Sequence, residues 1–582
     1  MTNGLISTVE RIDDIPLLIA QMEKIQLATL LDKHFPMHGH WKGLGLGHIV
    51  QVWLAYILSE GDHRLSHVES WAGGLLITLE KCLARPVRSL DFTDDRLAIV
   101  LDSLGHDDDF EAFESNLNQG IIRVYDLRTK RVRVDSTSAS GYMTVMENGL
   151  FQFGHSKDHR PDLPQLKINQ SALDPLGIPL TTTIVSGEKA DDPLYIPEIR
   201  KVQNSLIEHG VLYVGDCKMA SLATRAYVAK SDDFYLCPLS KVQMPESELS
   251  LLLNKIWNNE QALTSIYRPA VGEDDSPEQI AEGYGYTIHL ESDDAGDNFS
   301  WDEQRLVVRS LNHARKQEHT LQVHIKEAQT AIAKLNQRGR GIKMLDEKEL
   351  HAAVDTILKK HKLQSVLQIE YRREEKKTLQ KATRKSEAYI LVETSITVHS
   401  LLNQDDLEQY VRHLGWRVYA CNDPALSIEE AVLAYRQEYL IEHGFARYKG
   451  KALGLTPIYL SSTTRIKGLV RLLSIGLRIL CLLEFSVREA LQQKQEKLSG
   501  IYKGNPKRAT VRPTAEMMLK VFRGISLVAL TVNGVKHFEI TPLTTVQNKI
   551  LVLLGLSPTC YTILYKVPCE LHNEYSYKVA PG

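Results

Sequence analysis

Along the first 125 residues apolar positions recur at helical spacing, as in IPLLIAQMEKIQLATLLDKHF (15–35) and LGHIVQVWLAYILSEGDHRLSHVESWA (46–72), which predicts a helical region over 1–125. The period then changes. RVRVD (131–135) alternates, while QLKINQSAL (165–173) and IPLTTTIVSG (178–187) are rich in strand-forming residues, so three strands are expected. DDPLYIPEIRKVQNSLIEHG (191–210) returns to helical spacing through Leu194, Ile196, Ile199, Val202 and Ile207, and Gly210 stops it. VLYVGD (211–216) and FYLCPLS (234–240) supply a fourth and a fifth strand.

Three strands, a helix and a returning strand is the order with which an RNase H-like fold begins. The expected class is therefore α/β: an RNase H-like core with a mixed five-stranded sheet and helices, interrupted by a large insertion. The first part of the core is placed at 126–240. Residues 241–400 are expected to form the insertion, largely helical, because EQRLVVRSLNHARKQEHTLQVHIKEAQTAIAKLNQRGRG (303–341) has a long polar helical pattern that ends in a Gly-Arg break at 338–341. The charged run YRREEKKTLQKATRK (371–385) reads either as a solvated helix face or as a surface that tracks phosphates. The second part of the core, 401–485, opens with the strand pattern GWRVYACND (415–423). It continues as one helix, SIEEAVLAYRQEYLIEHGFARYKGKAL (427–453), with Ser427 and Glu430 spaced as a capping box. A C-terminal helical region, 486–582, contains the locally basic YKGNPKRATVRPTAEMMLK (502–520).

Composition changes this picture little. With 582 residues, 43% of them hydrophobic, the chain has apolar material for several cores. A formal net charge of −3 argues against a simple DNA-coating protein but leaves room for a local basic groove. The seven cysteines form no Cys-x-x-Cys pair, which excludes a zinc ribbon and suits a reducing cytosol. No signal peptide is read at the N-terminus. Gly468–Phe485 is the most apolar stretch, but Arg471 and Arg478 interrupt it, so a buried soluble helix is expected and no membrane partner.

The chemistry resides in carboxylates. Asp135 ends RVRVD and Asp216 ends VLYVGD, and two acids at the ends of neighbouring strands would offer hard oxygen ligands on a rigid support. Each alone is equally a turn-former or a cap. Tyr435, Glu442 and Lys449 are spaced by seven residues, so on one helix they share a stripe about 21 Å long. A plain surface helix has the same spacing.

Asp in VDSTS, Asp in YVGD, and Tyr435, Glu442 and Lys449 resemble the DDE transposases of bacterial insertion sequences, and within them the insertion-sequence-four superfamily with its Tyr-Arg-Glu-Lys signature. GHSKDHRPDLPQ (154–165) and LTPIYLSSTTRIKGLV (455–470) are similar to segments recurrent in one branch of it, and the N-terminal helices resemble that branch's leader domain. One position departs: the signature Arg is Glu438 here, one helical turn before Glu442, and a like charge there repels Glu442 and cannot clamp a phosphate.

The resemblance implies a catalytic and metal-binding triad of Asp135, Asp216 and Glu442, served by two Mg²⁺ ions for which Mn²⁺ can substitute. It implies DNA contacts from Tyr435 and Lys449, with His155, Lys157 and Arg160 of the GHSKDHRPD segment as further candidates. The implied partners are double-stranded DNA, as transposon terminal inverted repeats and target, and a second copy of the chain in a synaptic homodimer. The implied place is the bacterial cytoplasm, at the nucleoid. Trp257, Trp301 and Trp416 are candidates for stacking a flipped base, but each reads more readily as a core residue. The N-terminal unit can read DNA ends, dimerise or cap the core. Two other functions remain open: an RNase H-like nuclease without strand transfer, and a domesticated DNA-binding protein without catalysis.

Overall fold

In the computed structural model, which describes residues 6–206, 208–269, 276–294, 297–337, 345–380, 389–532 and 535–565, the chain divides into two units. The first comprises 1–237, 291–301 and 434–582; the second comprises 238–290 and 302–433.

After an N-terminal strand, β1 (Ile6–Arg11), the first unit runs through helices to Tyr125 and then enters a sheet. Its strands are β2 (Arg131–Ser140), β3 (Gln165–Leu173), β4 (Ile178–Ser186), β5 (Leu212–Gly215) and β6 (Phe234–Pro238), in the spatial order β4-β3-β2-β5-β6. The pairs β2/β3 and β3/β4 are antiparallel, whereas β5 runs parallel to both β2 and β6. The β3–β4 connection is a short hairpin, whereas β2 and β3 are joined by the longer segment 141–164. The helix Tyr195–Leu206 makes the crossover that parallel pairing of β5 needs. All nine residues of β3 are buried, polar ones included, because helices cover the sheet.

The long helix Thr463–Gln493 packs on β4 and on the helix Asp94–Leu104. A Cβ on Gly468 would lie 2.0 Å from the Leu101 carbonyl oxygen, so only glycine permits that approach. Two of its arginines are buried and paired: Arg478 meets Glu114 at 2.6 Å, and Arg471 donates to the Leu104 carbonyl at 2.9 Å. Among the described residues no helix is long and apolar enough to cross a membrane.

In the second unit, β7 (Thr264–Arg268), most of β8 (Glu278–Asp294) and of β9 (Asp297–Ser310), β10 (Leu367–Gln380), β11 (Tyr389–Leu402) and β12 (Trp416–Cys421) accompany helices. The order β12-β9-β8-β7 forms one array, and β10 and β11 form a separate antiparallel hairpin. The expectation of a largely helical insertion is therefore corrected. Residues 303–310 belong to β9, and the helix starts only at Leu311, where the Ser310 hydroxyl caps the His313 amide. The Gly-Arg break at 338–341 lies outside the described residues.

The charged run is strand over 371–380, and 381–385 lie outside the described residues. Its charges carry no apolar face that could fix a period. The β-branched partner YILVETSITVHSLL decides the matter, pairing residue for residue from Leu367↔Leu402 to Gln380↔Tyr389. Leu321, Ile325, Leu350, Val354 and Val398 form a small core beneath this hairpin.

Strand also enters the C-terminal region, which was expected to be helical. After the two-residue pair β13 (Leu498–Ser499) and β14 (Ala509–Thr510), β15 (Ser526–Val532) and β16 (Val535–Ile540) form a three-stranded sheet with β1, in the order β1-β15-β16. The N-terminal helical region thus begins with a strand whose partner comes from the other end of the chain.

Candidate active site

Register places the two aspartates together. Val134 pairs with Gly215 in the parallel β2/β5 ladder, so Asp135 and Asp216 follow side by side, one step further along strands about 4.8 Å apart. Asp135 is not at a strand end, as the sequence pattern suggested. Its antiparallel partner β3 continues the ladder to Ser140↔Gln165, while β5 stops at Gly215. The acid therefore sits where one neighbour ends and the other does not. Burial pushes the Asp135 carboxyl up to about 6, and the Asp216 charge adds to this. The Lys157 ammonium and the Ser136 amide work in the opposite direction.

Each aspartate is held through one oxygen. Asp135 Oδ1 accepts from the Ser136 amide at 2.7 Å and lies 3.4 Å from Lys157 Nζ. Asp216 Oδ1 accepts from the Tyr195 hydroxyl at 2.6 Å and the Lys218 amide at 2.8 Å. Lys157 also donates to the Ser136 carbonyl at 2.6 Å and stands 3.9 Å from Asp191. Asp191 in turn accepts from Lys167 at 2.8 Å and from the Ser136 hydroxyl at 3.1 Å. Burial raises the Asp191 carboxyl, but Lys167 and Lys157 outweigh it and hold it below the ordinary range.

The acidic helix arrives in two pieces, not one. Ile428–Arg436 and Tyr439–Lys449 are separate helices, joined through three-residue bonds from Gln437 to Ala434 and from Glu438 to Tyr435. Of the two acids Glu438 and Glu442, Glu438 is the more buried. Glu438 is half-buried, and its carboxyl is pushed up to about 7 by burial and by the charges of Asp135, Glu442 and Asp216, against a hydrogen bond from Tyr435. Glu442 is exposed. Ile441 and Phe445 anchor the second helix on Ala172 of β3. Lys449, at the far end of that helix, is ion-paired with Asp158, the residue after Lys157.

The structure brings Asp135, Asp216, Lys157, Tyr435 and Glu438 to one locality. His155 and Arg160 are exposed; the former offers its carbonyl to Gln165 at 2.8 Å, and the latter pairs with Asp162 at 2.8 Å. The tryptophans are packed. Trp301 donates to the Tyr235 hydroxyl at 2.8 Å, Trp416 is buried in the second unit's core, and Trp257 packs against that core, edge-on to His413.

Sequence reasoning missed Tyr195, Asp191, Lys167 and Gln170. Two of them carry a signal in retrospect, since QLKINQSAL places Lys167 and Gln170 in a strand that has no exposed position.

Among the described residues no three His, Cys, Asp or Glu side chains are arranged to hold a metal ion by themselves. Mg²⁺ does not need three: it takes one or two carboxylates and completes its octahedron with water and phosphate oxygens. The paired aspartates fit that requirement. Gln170 stands directly opposite Asp135 in the β2/β3 ladder, fully buried, with no partner for its amide among the described residues. A buried amide in that position suits a hydrated ion.

A family described as a domain of unknown function (DUF4277) matches residues 7–116. No curated protein matches the chain. Among solved structures, the chain is similar to piggyBac transposase in a synaptic complex with hairpin DNA. That similarity has 8% identity and a TM-score of 0.34, over 97% of this chain and 86% of that one. A likeness at that level carries no argument about activity.

Proposed function

We propose that the protein is a DDE-type DNA transposase with an RNase H-like core, cutting and joining transposon ends by metal-dependent phosphoryl transfer. The observation that carries this reading is the parallel β2/β5 register, which sets Asp135 beside Asp216 in a sheet ordered β4-β3-β2-β5-β6. Three antiparallel strands followed by two strands parallel to the first is the arrangement expected of such a core. The residues of the Tyr-Arg-Glu-Lys resemblance add Glu442 as the third acid.

Asp135 and Asp216 would hold Mg²⁺, with Glu442 completing the set and Mn²⁺ able to substitute. Bound there, the ions supply an activated nucleophile and charge stabilisation at the leaving oxygen. The chain's own residues do the rest. Lys157 and Lys449 offer cations to the backbone phosphates on either side of the scissile bond. Tyr435 orients Glu438, and the sheet holds both aspartates without reorganisation. The partners are the transposon's terminal repeats, target DNA and a second copy of the chain to synapse two ends.

Cleavage of a labelled transposon-end duplex, with Mg²⁺ or with EDTA, tests the reading on the wild type, Asp216→Ala and Glu442→Ala. Metal-dependent cutting lost in both variants, with joined products, is expected. Cutting without joined products would make the protein a nuclease. Metal-independent binding with no cutting would make it a DNA-binding protein.

A further inference from the structure

Tyr195 opens the helix Tyr195–Leu206 and is 4% exposed. Its ring lies across the last residue of β5: a Cβ on Gly215 would come within 3.2 Å of Tyr195 Cε1 and 2.7 Å of Met219 Sδ. The strand backbone thus fixes the ring, and the ring delivers its hydroxyl to Asp216 Oδ1 at 2.6 Å. The Lys218 amide meets the same oxygen at 2.8 Å. Two donors on one oxygen restrain the carboxylate from turning. Asp191, four residues earlier, steadies Lys157 at Asp135. One turn of chain therefore braces both aspartates.

We propose that Tyr195 is a positioning residue that orients Asp216 for metal binding. This rests on the reading of Asp216 as a metal ligand. A side chain that orients a ligand carboxylate typically changes metal affinity by about 10–100-fold when removed. Tyr195→Phe keeps the ring against Gly215 and deletes only the hydroxyl.

The test is titration of the full-length protein with Mn²⁺ alone, followed by calorimetry, on the wild type, Tyr195→Phe, Asp216→Ala and the double variant. Tyr195→Phe is expected to weaken Mn²⁺ binding by about 10–100-fold with an essentially unchanged thermal midpoint. The double variant is expected to bind no more weakly than Asp216→Ala, because the phenol acts through that carboxylate. Wild-type affinity in Tyr195→Phe, with binding lost in Asp216→Ala, would overturn the positioning role and leave the metal site standing. Equal binding by the wild type and Asp216→Ala would remove Asp216 from the metal site and the proposal with it. A double variant markedly weaker than Asp216→Ala would also overturn it, by showing that Tyr195 acts elsewhere.

Discussion

At the scale of single residues, the buried ion pair of Arg478 and Glu114 joins the helix Thr463–Gln493 to the helix Asp107–Tyr125, with side chains 0% and 5% exposed. Arg478 also donates to the Ser474 hydroxyl at 2.9 Å and the Leu180 carbonyl at 3.0 Å. Removing one partner strands the other charge, so Glu114→Ala is expected to cost about 3–5 kcal/mol, read from urea denaturation. Replacing both residues by methionine should recover most of that loss. Glu198 gives a pH prediction. Burial pushes its carboxyl up to about 7 from 4.5, against hydrogen bonds from Thr181 and Thr183. Below the lower value the group is protonated in both folded and unfolded chains. As pH rises towards 7 the unfolded chain releases the proton while the folded chain keeps it, so stability falls across that window. Glu198→Gln should therefore stabilise the protein at pH 8 by roughly 3 kcal/mol and change little at pH 4, as denaturation at the two pH values would show. Arg471 and Arg478 were legible in the sequence as interruptions of an apolar helix. The partner Glu114 was not, because it lies 364 residues away and nothing local marks it.

At the scale of elements, the five core strands and the crossover helix were legible because their apolar periods are strong and local. The bend at Gln437–Glu438 was not. Spacing by seven assumes one continuous helix, and SIEEAVLAYRQEYLIEHGFARYKGKAL holds no Pro or Gly near the break. The substitution of Glu438 for the signature Arg was legible, but not its place near Asp135 and Asp216. The β10/β11 hairpin was hidden for another reason, since its charged strand takes its period from its partner. The segment 154–163 carries the prediction at this scale. Its Lys157 lies at Asp135 and its Asp158 engages Lys449, so adjacent residues hold a carboxylate and a lysine that the proposed reaction requires. Asp158→Ala should release Lys449 to phosphate, tighten DNA binding at low salt and steepen the slope of log K against log[salt] by about one ion. An unchanged slope would place Lys449 outside the DNA contact.

At the scale of the whole molecule, the two ends of the first unit are sewn together. Each residue of β1 pairs with β15, from Ile6↔Thr531 to Arg11↔Ser526. Asp13 accepts from the Gly524 amide at 2.7 Å and from Arg523 at 3.0 Å, and its carbonyl accepts from the Tyr561 hydroxyl at 2.7 Å. Lys81 donates to the Leu564 carbonyl at 2.6 Å. The region matched at 7–116 therefore lacks partners that belong to its own structure. Expressed alone, it should show little protection of its amides from hydrogen exchange, whereas in the full chain residues 6–11 should exchange as slowly as 526–532. The same pairing sets a clock on synthesis. The ribosome delivers β15 on the order of 500 residues after β1, which at ~5–20 residues per second is roughly half a minute to two minutes. For that time β1 is an unpaired strand edge, and its sheet closes only when residues 526–540 have been made.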